Sequence, residues 1–353
     1  MALTLTSLAT LQGADFDEII DVRSPAEFAE DHVPGAVSLP VLSNAERAEV
    51  GTVYVQDSPF RARKMGAAMV ARNAARHLET HLASKGGGYR PLVYCWRGGQ
   101  RSGSFTGILQ QVGWRADVLK GGYQSYRRLV QTALYDGTFP CPVLLLDGDT
   151  GSGKTDLLNL LPQEGFQVID LEGLAHHRGS LLGAYAEEQP AQKGFESRLA
   201  AAITALDPTR PVVVEAESSK IGRINLPPAI WQAMKSAPRL VLSVPRAARA
   251  RYLMRSYGDL LAQPADLTER LDPFRKLHGH GQVEAWQALV AEQAFEPLAD
   301  SLMEVHYDPL YRRNRKAKPG AAAELALDDG ALEPEAMANT AAKVAEALRA
   351  LSA

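Results

Sequence analysis

Two short stretches of this chain carry residue types at spacings that suit the handling of anions. Cys95-Trp96-Arg97-Gly98-Gly99-Gln100-Arg101-Ser102 opens a glycine- and arginine-rich loop with a lone thiol. Gly148-Asp149-Thr150-Gly151-Ser152-Gly153-Lys154-Thr155 matches the phosphate-loop pattern G-x-x-x-x-G-K-[ST] in full. In the first loop, Gly98 and Gly99 let the backbone curl around an anion, and Arg97 and Arg101 add charge. That field favours the Cys95 thiolate, the reactive form, and would stabilise a persulfide or a sulfur–selenium adduct in the same way. In the second loop, which Gly148 opens, the backbone N–H groups from Gly151 through Ser152 and Gly153 to Lys154 are set to wrap a phosphate. Lys154 would reach the outer oxygens, and the Thr155 hydroxyl is a candidate Mg²⁺ ligand. No adenine-binding signature is evident, so the loop calls for a phosphate rather than for ATP. Few reaction types need both a thiolate and a phosphate cradle.

These loops need strands to hold them. Residues 91–95 read as a short apolar strand with Cys95 at its C-terminal end. Residues 17–23, 37–39 and 115–119 are further strand candidates. Helical spacing marks 61–83 and 102–112, and Ser24-Pro25 reads as a helix N-cap followed by a first-turn proline. A second α/β rhythm starts at residue 143, after a linker at 136–142, with strands expected at 167–171, 211–215, 239–244 and 301–307. The chain turns Ala- and Glu-rich from about 319 and ends in a helix at 335–351. The fold class is therefore α/β: one parallel-sheet domain over 1–136, then a P-loop NTPase-like domain over 137–353 with a C-terminal helical segment. Ligands collect at the C-terminal strand ends of such sheets, where Cys95 is placed.

Other residues are candidates on weaker grounds. Asp170-Leu171-Glu172-Gly173-Leu174-Ala175-His176-His177-Arg178 follows a strand expected near the phosphate loop. His177 and Arg178 suit a second anion, with Asp170 or Glu172 accepting hydrogen bonds; zinc is a poor reading without cysteine partners. Glu215 and Glu217 stand where a Mg²⁺ partner or a general base would sit, or they hold a loop. Asp21 and Arg23 suit an internal ion pair, and Cys141 an inert thiol. Three basic runs stand out: Arg246, Arg249, Arg251 and Arg255; Arg312, Arg313, Arg315, Lys316 and Lys318; and Arg61, Arg63, Lys64, Arg72 and Arg76. In a chain of net charge −3 they suggest an RNA backbone held locally, with Tyr307 or Tyr311 as a base-stacking platform.

The remaining bounds are broad. At 353 residues and 46% hydrophobic content the chain can fill two cores. It shows no run of 18 apolar residues and no secretory signal, so neither membrane nor export is expected. Two cysteines make no disulfide framework, and a reducing cytoplasm is the expected setting, with a monomer the expected state.

Asp21-Val22-Arg23-Ser24-Pro25-Ala26-Glu27-Phe28, His32-Val33-Pro34-Gly35-Ala36 and the Cys95 loop resemble a rhodanese domain. Cys95 and Arg101 are separated by five residues, one more than in a usual sulfur-transferring rhodanese loop; that spacing resembles the phosphatase-type members of the fold. Taken with Gly121-Gly122-Tyr123, the phosphate loop, the 170–180 stretch, Gln189-Pro190, Glu215-Ala216-Glu217-Ser218 and Ile221-Gly222, the chain from about Asp17 to Tyr311 resembles the tRNA 2-selenouridine synthases. That resemblance implies modification of wobble uridine 34 in tRNAs for Lys, Glu and Gln. The 2-thiouridine sulfur would be alkylated from geranyl diphosphate and then displaced by selenium from selenophosphate. Cys95 would act as carrier or nucleophile, with Arg97 and Arg101 beside it and no tightly bound cofactor. The alternatives are an ATP-dependent tRNA sulfurtransferase using a Cys95 persulfide, a Cys-x5-Arg phosphatase, and a non-catalytic tRNA-binding protein.

Overall fold

The computed structural model describes residues 2–316 and 322–352; Lys318 of the second basic run lies outside them. The chain forms two compact units, one built from Met1–Thr138 with Pro190–Ala205 and the other from Phe139–Gln189 with Leu206–Ala353.

The first unit carries strands β1 (Ala2–Leu3), β2 (Glu18–Asp21), β3 (Val37–Ser38), β4 (Pro91–Tyr94) and β5 (Asp117–Leu119). They form one parallel sheet in the order β1-β5-β4-β2-β3. All four residues of the central strand β4 are buried, which is why it reads as an uninterrupted apolar run. The helix Pro59–Glu79 buries Ala62, Gly66, Val70, Asn73 and Ala74, a single face at helical spacing. The helix Gln100–Val112 buries Ser102, Phe105, Thr106 and Leu109 and stops at Gly113, which is left-handed. Ile20, Val22, Val93, Phe105, Leu109 and Trp114 meet in the core.

The helix Gln192–Thr204 corrects the expected division at 136/137, because it packs in the first unit. Its Ser197 hydroxyl donates to Asp31 at 3.0 Å, and its Glu196 carboxylate is ion-paired with Arg127. Both partners lie more than 60 residues upstream, so local pattern gave no sign of them.

The second unit carries β6 (Val143–Gly148), β7 (Gln167–Ile169), β8 (Val212–Glu215), a hairpin of β9 (Lys220–Ile221) and β10 (Ile224–Asn225), then β11 (Arg239–Ser243) and β12 (Ala322–Ala326). The five-stranded sheet is parallel, ordered β12-β11-β6-β8-β7, so the strand that feeds the phosphate loop is central. The strand expected at 301–307 is helical instead: Phe295–Leu302 runs into a π-helical turn at Met303–Tyr307. Leu298, Leu302, Met303 and His306 are buried at helical spacing, which overrides the β-prone composition. The fifth strand is β12, in the Ala/Glu-rich stretch; its alternating exposure fits an edge strand. The terminal helix Met337–Ser352 then buries Ala341, Val344, Ala345 and Leu348 against Leu157, Leu158 and Leu161. Among the described residues no helix is long and apolar enough to cross a membrane.

Candidate functional site

Cys95 follows β4 directly and is 4% exposed. Its carbonyl accepts the Tyr123 amide at 2.8 Å, and the Trp96 carbonyl accepts the Gln124 amide at 3.0 Å. The loop thus lies on the Gly121-Gly122-Tyr123 turn. Gly122 has φ +56°, and a Cβ there would stand 2.3 Å from the Cys95 carbonyl oxygen. Only glycine permits that approach. The Cys95 Sγ and Ser102 Oγ are hydrogen-bonded at 3.2 Å. Burial alone would raise the Cys95 thiol, but the Ser102 hydroxyl and amide, the Arg101 charge and the Gly99 amide outweigh it. The thiol is held below its ordinary range. Arg101 is half-buried and pinned to Glu27, while Arg97 is exposed.

Asp21 and Arg23 form a fully buried ion pair at 2.6 Å. Arg23 also donates to the Asp31 carbonyl and lies 4.0 Å over the Tyr123 ring, so the pair ties β2 to the turn under Cys95. Cys141 is buried at 3.6 Å from the Asp207 carbonyl, and burial pushes its thiol up.

In the second unit, Gly151 and Gly153 turn the phosphate loop through left-handed backbone into the helix Lys154–Leu160. The loop lines a cavity of about 590 Å³ together with Glu172, Arg178, Tyr252, Tyr257 and Tyr311. Apolar walls come from Leu160, Leu253, Leu332 and Met337. Lys154 Nζ donates to the Gly148 carbonyl at 2.9 Å, and the Thr155 hydroxyl donates to Glu172 at 3.0 Å.

Two family models match the chain: the rhodanese-like domain over residues 4–129, and the tRNA 2-selenouridine synthase AAA domain over 141–282. The chain is 32% identical to the tRNA 2-selenouridine synthase of Chromohalobacter salexigens, over 85% of this chain and 89% of that one. It is 32% identical to that of Bordetella bronchiseptica over the same shares, and 32% identical to that of Shewanella loihica over 83% and 86%. The chain belongs to the tRNA 2-selenouridine synthase family.

In this family member the acidic candidates divide. Asp170 caps the helix Leu171–Ala175 by accepting the Gly173 amide at 2.6 Å. Glu215 is fully buried and accepts the Leu171 amide at 3.0 Å; burial and the neighbouring Asp170 push its carboxyl well up. These two hold the loop and do not line the phosphate-loop cavity. Glu172 faces the phosphate loop, and burial with the Glu217 charge raises its carboxyl far above the usual range. A Cβ on Gly179 would stand 2.4 Å from Glu172 and 2.8 Å from Glu217, so the glycine lets the two carboxyls close around it.

His177 and Arg178 do not share an anion site. Arg178 lines the phosphate-loop cavity, paired with Asp259 at 2.6 Å and stacked near Tyr185 and Tyr257. His177 lines a different cavity, accepts the Gly179 amide at 3.1 Å, and is held low mainly by burial.

The helical arginines are also corrected. Arg249 is 3% exposed and bidentate to Asp308, while its guanidinium donates to the Thr150 carbonyl at 3.0 Å. Arg246 pairs with Asp300 and Glu304, Arg251 with Asp329 and Glu333, and Arg255 with Glu333. Arg315 pairs with Asp147 and Asp149. Of the helical arginines only Arg249 is withdrawn from solvent; Arg246, Arg251 and Arg255 keep 35–39% of their side chains exposed beside their acidic partners. Arg312, Arg313, Arg61, Arg63, Lys64, Arg72 and Arg76 are exposed. Tyr307 is 6% exposed and packed edge-on to His306. Tyr311 lines the phosphate-loop cavity and also the cavity that holds His177. Ser102 and Glu27 carry roles that sequence reading did not give them. The spacing Ser24-x-x-Glu27, a capping-box pattern, was the available signal.

Proposed function

We propose that this protein replaces the 2-thiouridine sulfur at wobble position 34 of tRNAs for Lys, Glu and Gln with selenium, in the cytoplasm. Geranyl diphosphate and selenophosphate are the co-substrates. The observation that carries the reading is the composition of the phosphate-loop cavity, where amides and Lys154 stand beside Leu160, Leu253, Leu332 and Met337. Such a cavity suits a diphosphate bearing an apolar chain better than a free anion. In the first step the thiocarbonyl sulfur would attack the terminal allylic carbon. The carbon–oxygen bond breaks, diphosphate leaves with the electron pair, and the uridine N3 proton is released. In the second step the selenium of selenophosphate adds at C2 and geranyl thiolate departs; water then attacks phosphorus, the selenium–phosphorus bond breaks, phosphate leaves and the selenocarbonyl remains. Cys95 would serve this step as carrier or nucleophile, with Arg97 and Arg101 compensating negative charge.

Thr155 and Glu172 present two oxygens 3.0 Å apart beside Lys154. That donor set fits a Mg²⁺ ion, which would neutralise diphosphate charge. Exposed Arg312 and Arg313 are the proposed RNA contacts in this unit.

Nucleoside mass spectrometry of 2-thiouridine tRNA incubated with both donors tests the proposal. Geranylthio- and selenouridine from the wild type, with selenium lost in Cys95→Ser, is the expected result. No mass change, with ATP turnover stimulated by tRNA, would replace it with ATP-dependent sulfurtransfer from a Cys95 persulfide.

A further inference from the structure

Tyr311 and Ser180 line the phosphate-loop cavity and also a second, larger one of about 930 Å³. The two cavities therefore share a wall. Nothing above assigns the second.

Its lining combines three chemistries. Lys220 and Arg313 are exposed cations on its border. Leu181 and Leu277 are apolar side chains left 59% and 63% exposed at the same cavity. Such apolar surface on a concave site marks contact with a ligand. The third is a hydrogen-bonding set. Glu217 and His177 line the cavity, and so does His306, which is only 8% exposed. His306 Nδ1 is bonded to His278 Nε2 at 2.9 Å. Its Nε2 is buried and has no partner among the described residues. A buried polar atom left unpaired is costly and points to a missing partner.

A simple phosphate would use the cations and waste the leucines. A purely apolar ligand would waste the cations and the histidines. A nucleotide of single-stranded RNA uses all three: base faces on apolar side chains, a polar base edge, and flanking phosphates on lysine and arginine. The volume falls in the range of small-ligand sites.

We propose that this second cavity receives an extruded nucleoside of the RNA substrate, with its flanking phosphates on Lys220 and Arg313. The base then lies next to the phosphate-loop cavity, with which its own cavity shares Tyr311 and Ser180. This inference rests on the proposed function.

The test uses the full chain and a fluorescent anticodon stem–loop carrying 2-thiouridine, with affinity measured by anisotropy over a salt series. Lys220→Ala with Arg313→Ala should bind about ten-fold more weakly. Its slope of log affinity against log salt should fall by about 2, one for each lost phosphate contact. Leu181→Ser with Leu277→Ser should weaken binding with the slope unchanged. Inorganic diphosphate should bind both variants as it binds the wild type. RNA affinity and slope equal to wild type in both double variants would overturn the inference, and would leave the proposed function standing if the wild type still modifies tRNA. A wild type that binds no RNA would end both.

Discussion

Arg101 of the cysteine loop donates to the Glu27 carboxylate at 2.9 Å, and Glu27 accepts in turn from the Ser24 amide and hydroxyl at 3.1 and 3.0 Å. One buried carboxylate thus closes the N-cap of the helix Pro25–Glu30 and fixes the arginine whose charge helps hold the Cys95 thiol low. Two motifs separated by about 70 residues are one unit in space.

Burial raises the Glu27 carboxyl, but Arg101, the Ser24 amide and Arg47 more than reverse this and hold it down at about 2 from 4.5. A depressed carboxylate stabilises the fold above its unfolded value and loses that contribution as pH falls. The expected outcome is loss of melting temperature between about pH 4.5 and pH 2, with the slope reduced in Glu27→Gln. Melting curves across that range check it; an unchanged slope in the variant would remove Glu27 from the account.

The two thiols provide an internal comparison. Cys95 is held below the ordinary thiol range and Cys141 above it. Alkylation by iodoacetamide, followed by peptide mass spectrometry against pH, should show Cys95 reaching its half-maximal rate at lower pH. Ser102→Ala should move the Cys95 curve upward and leave that of Cys141 in place.

Gly122→Ala should disrupt the cysteine loop, because its Cβ meets the Cys95 carbonyl oxygen at 2.3 Å with φ at +56°. Backbone strain and displacement of this kind cost about 2 kcal/mol. A lower melting temperature, with the Cys95 alkylation curve shifted upward, is the expected pair of results.

Arg249 and Arg312 should separate stability from RNA affinity. Removing Arg249 leaves Asp308 buried without its bidentate partner, a loss of about 3–5 kcal/mol. Arg312→Ala, at an exposed position, should change stability by no more than about 0.5 kcal/mol while weakening RNA binding. Denaturant titration and anisotropy on the same samples distinguish the two effects.

The sequence by itself determined the loops and what leads into them. Cys95 ends an apolar run, and the phosphate loop carries Gly151 and Gly153 at the positions where the chain must turn left-handed. These are local constraints on backbone and burial, so they are written in neighbouring residues. Only the tertiary structure decided which charges are free. Arg249 and Arg312 look alike in sequence, yet one meets Asp308 in the interior and the other meets solvent. His177 and Arg178 are adjacent in the chain and face different cavities. Residues 322–326 became the edge strand and 301–307 a helical turn because the partners that fix them, β11 for one and the Trp286 core for the other, lie far along the chain. Ion pairing and burial at such separations depend on the fold as a whole, and local periodicity does not record them.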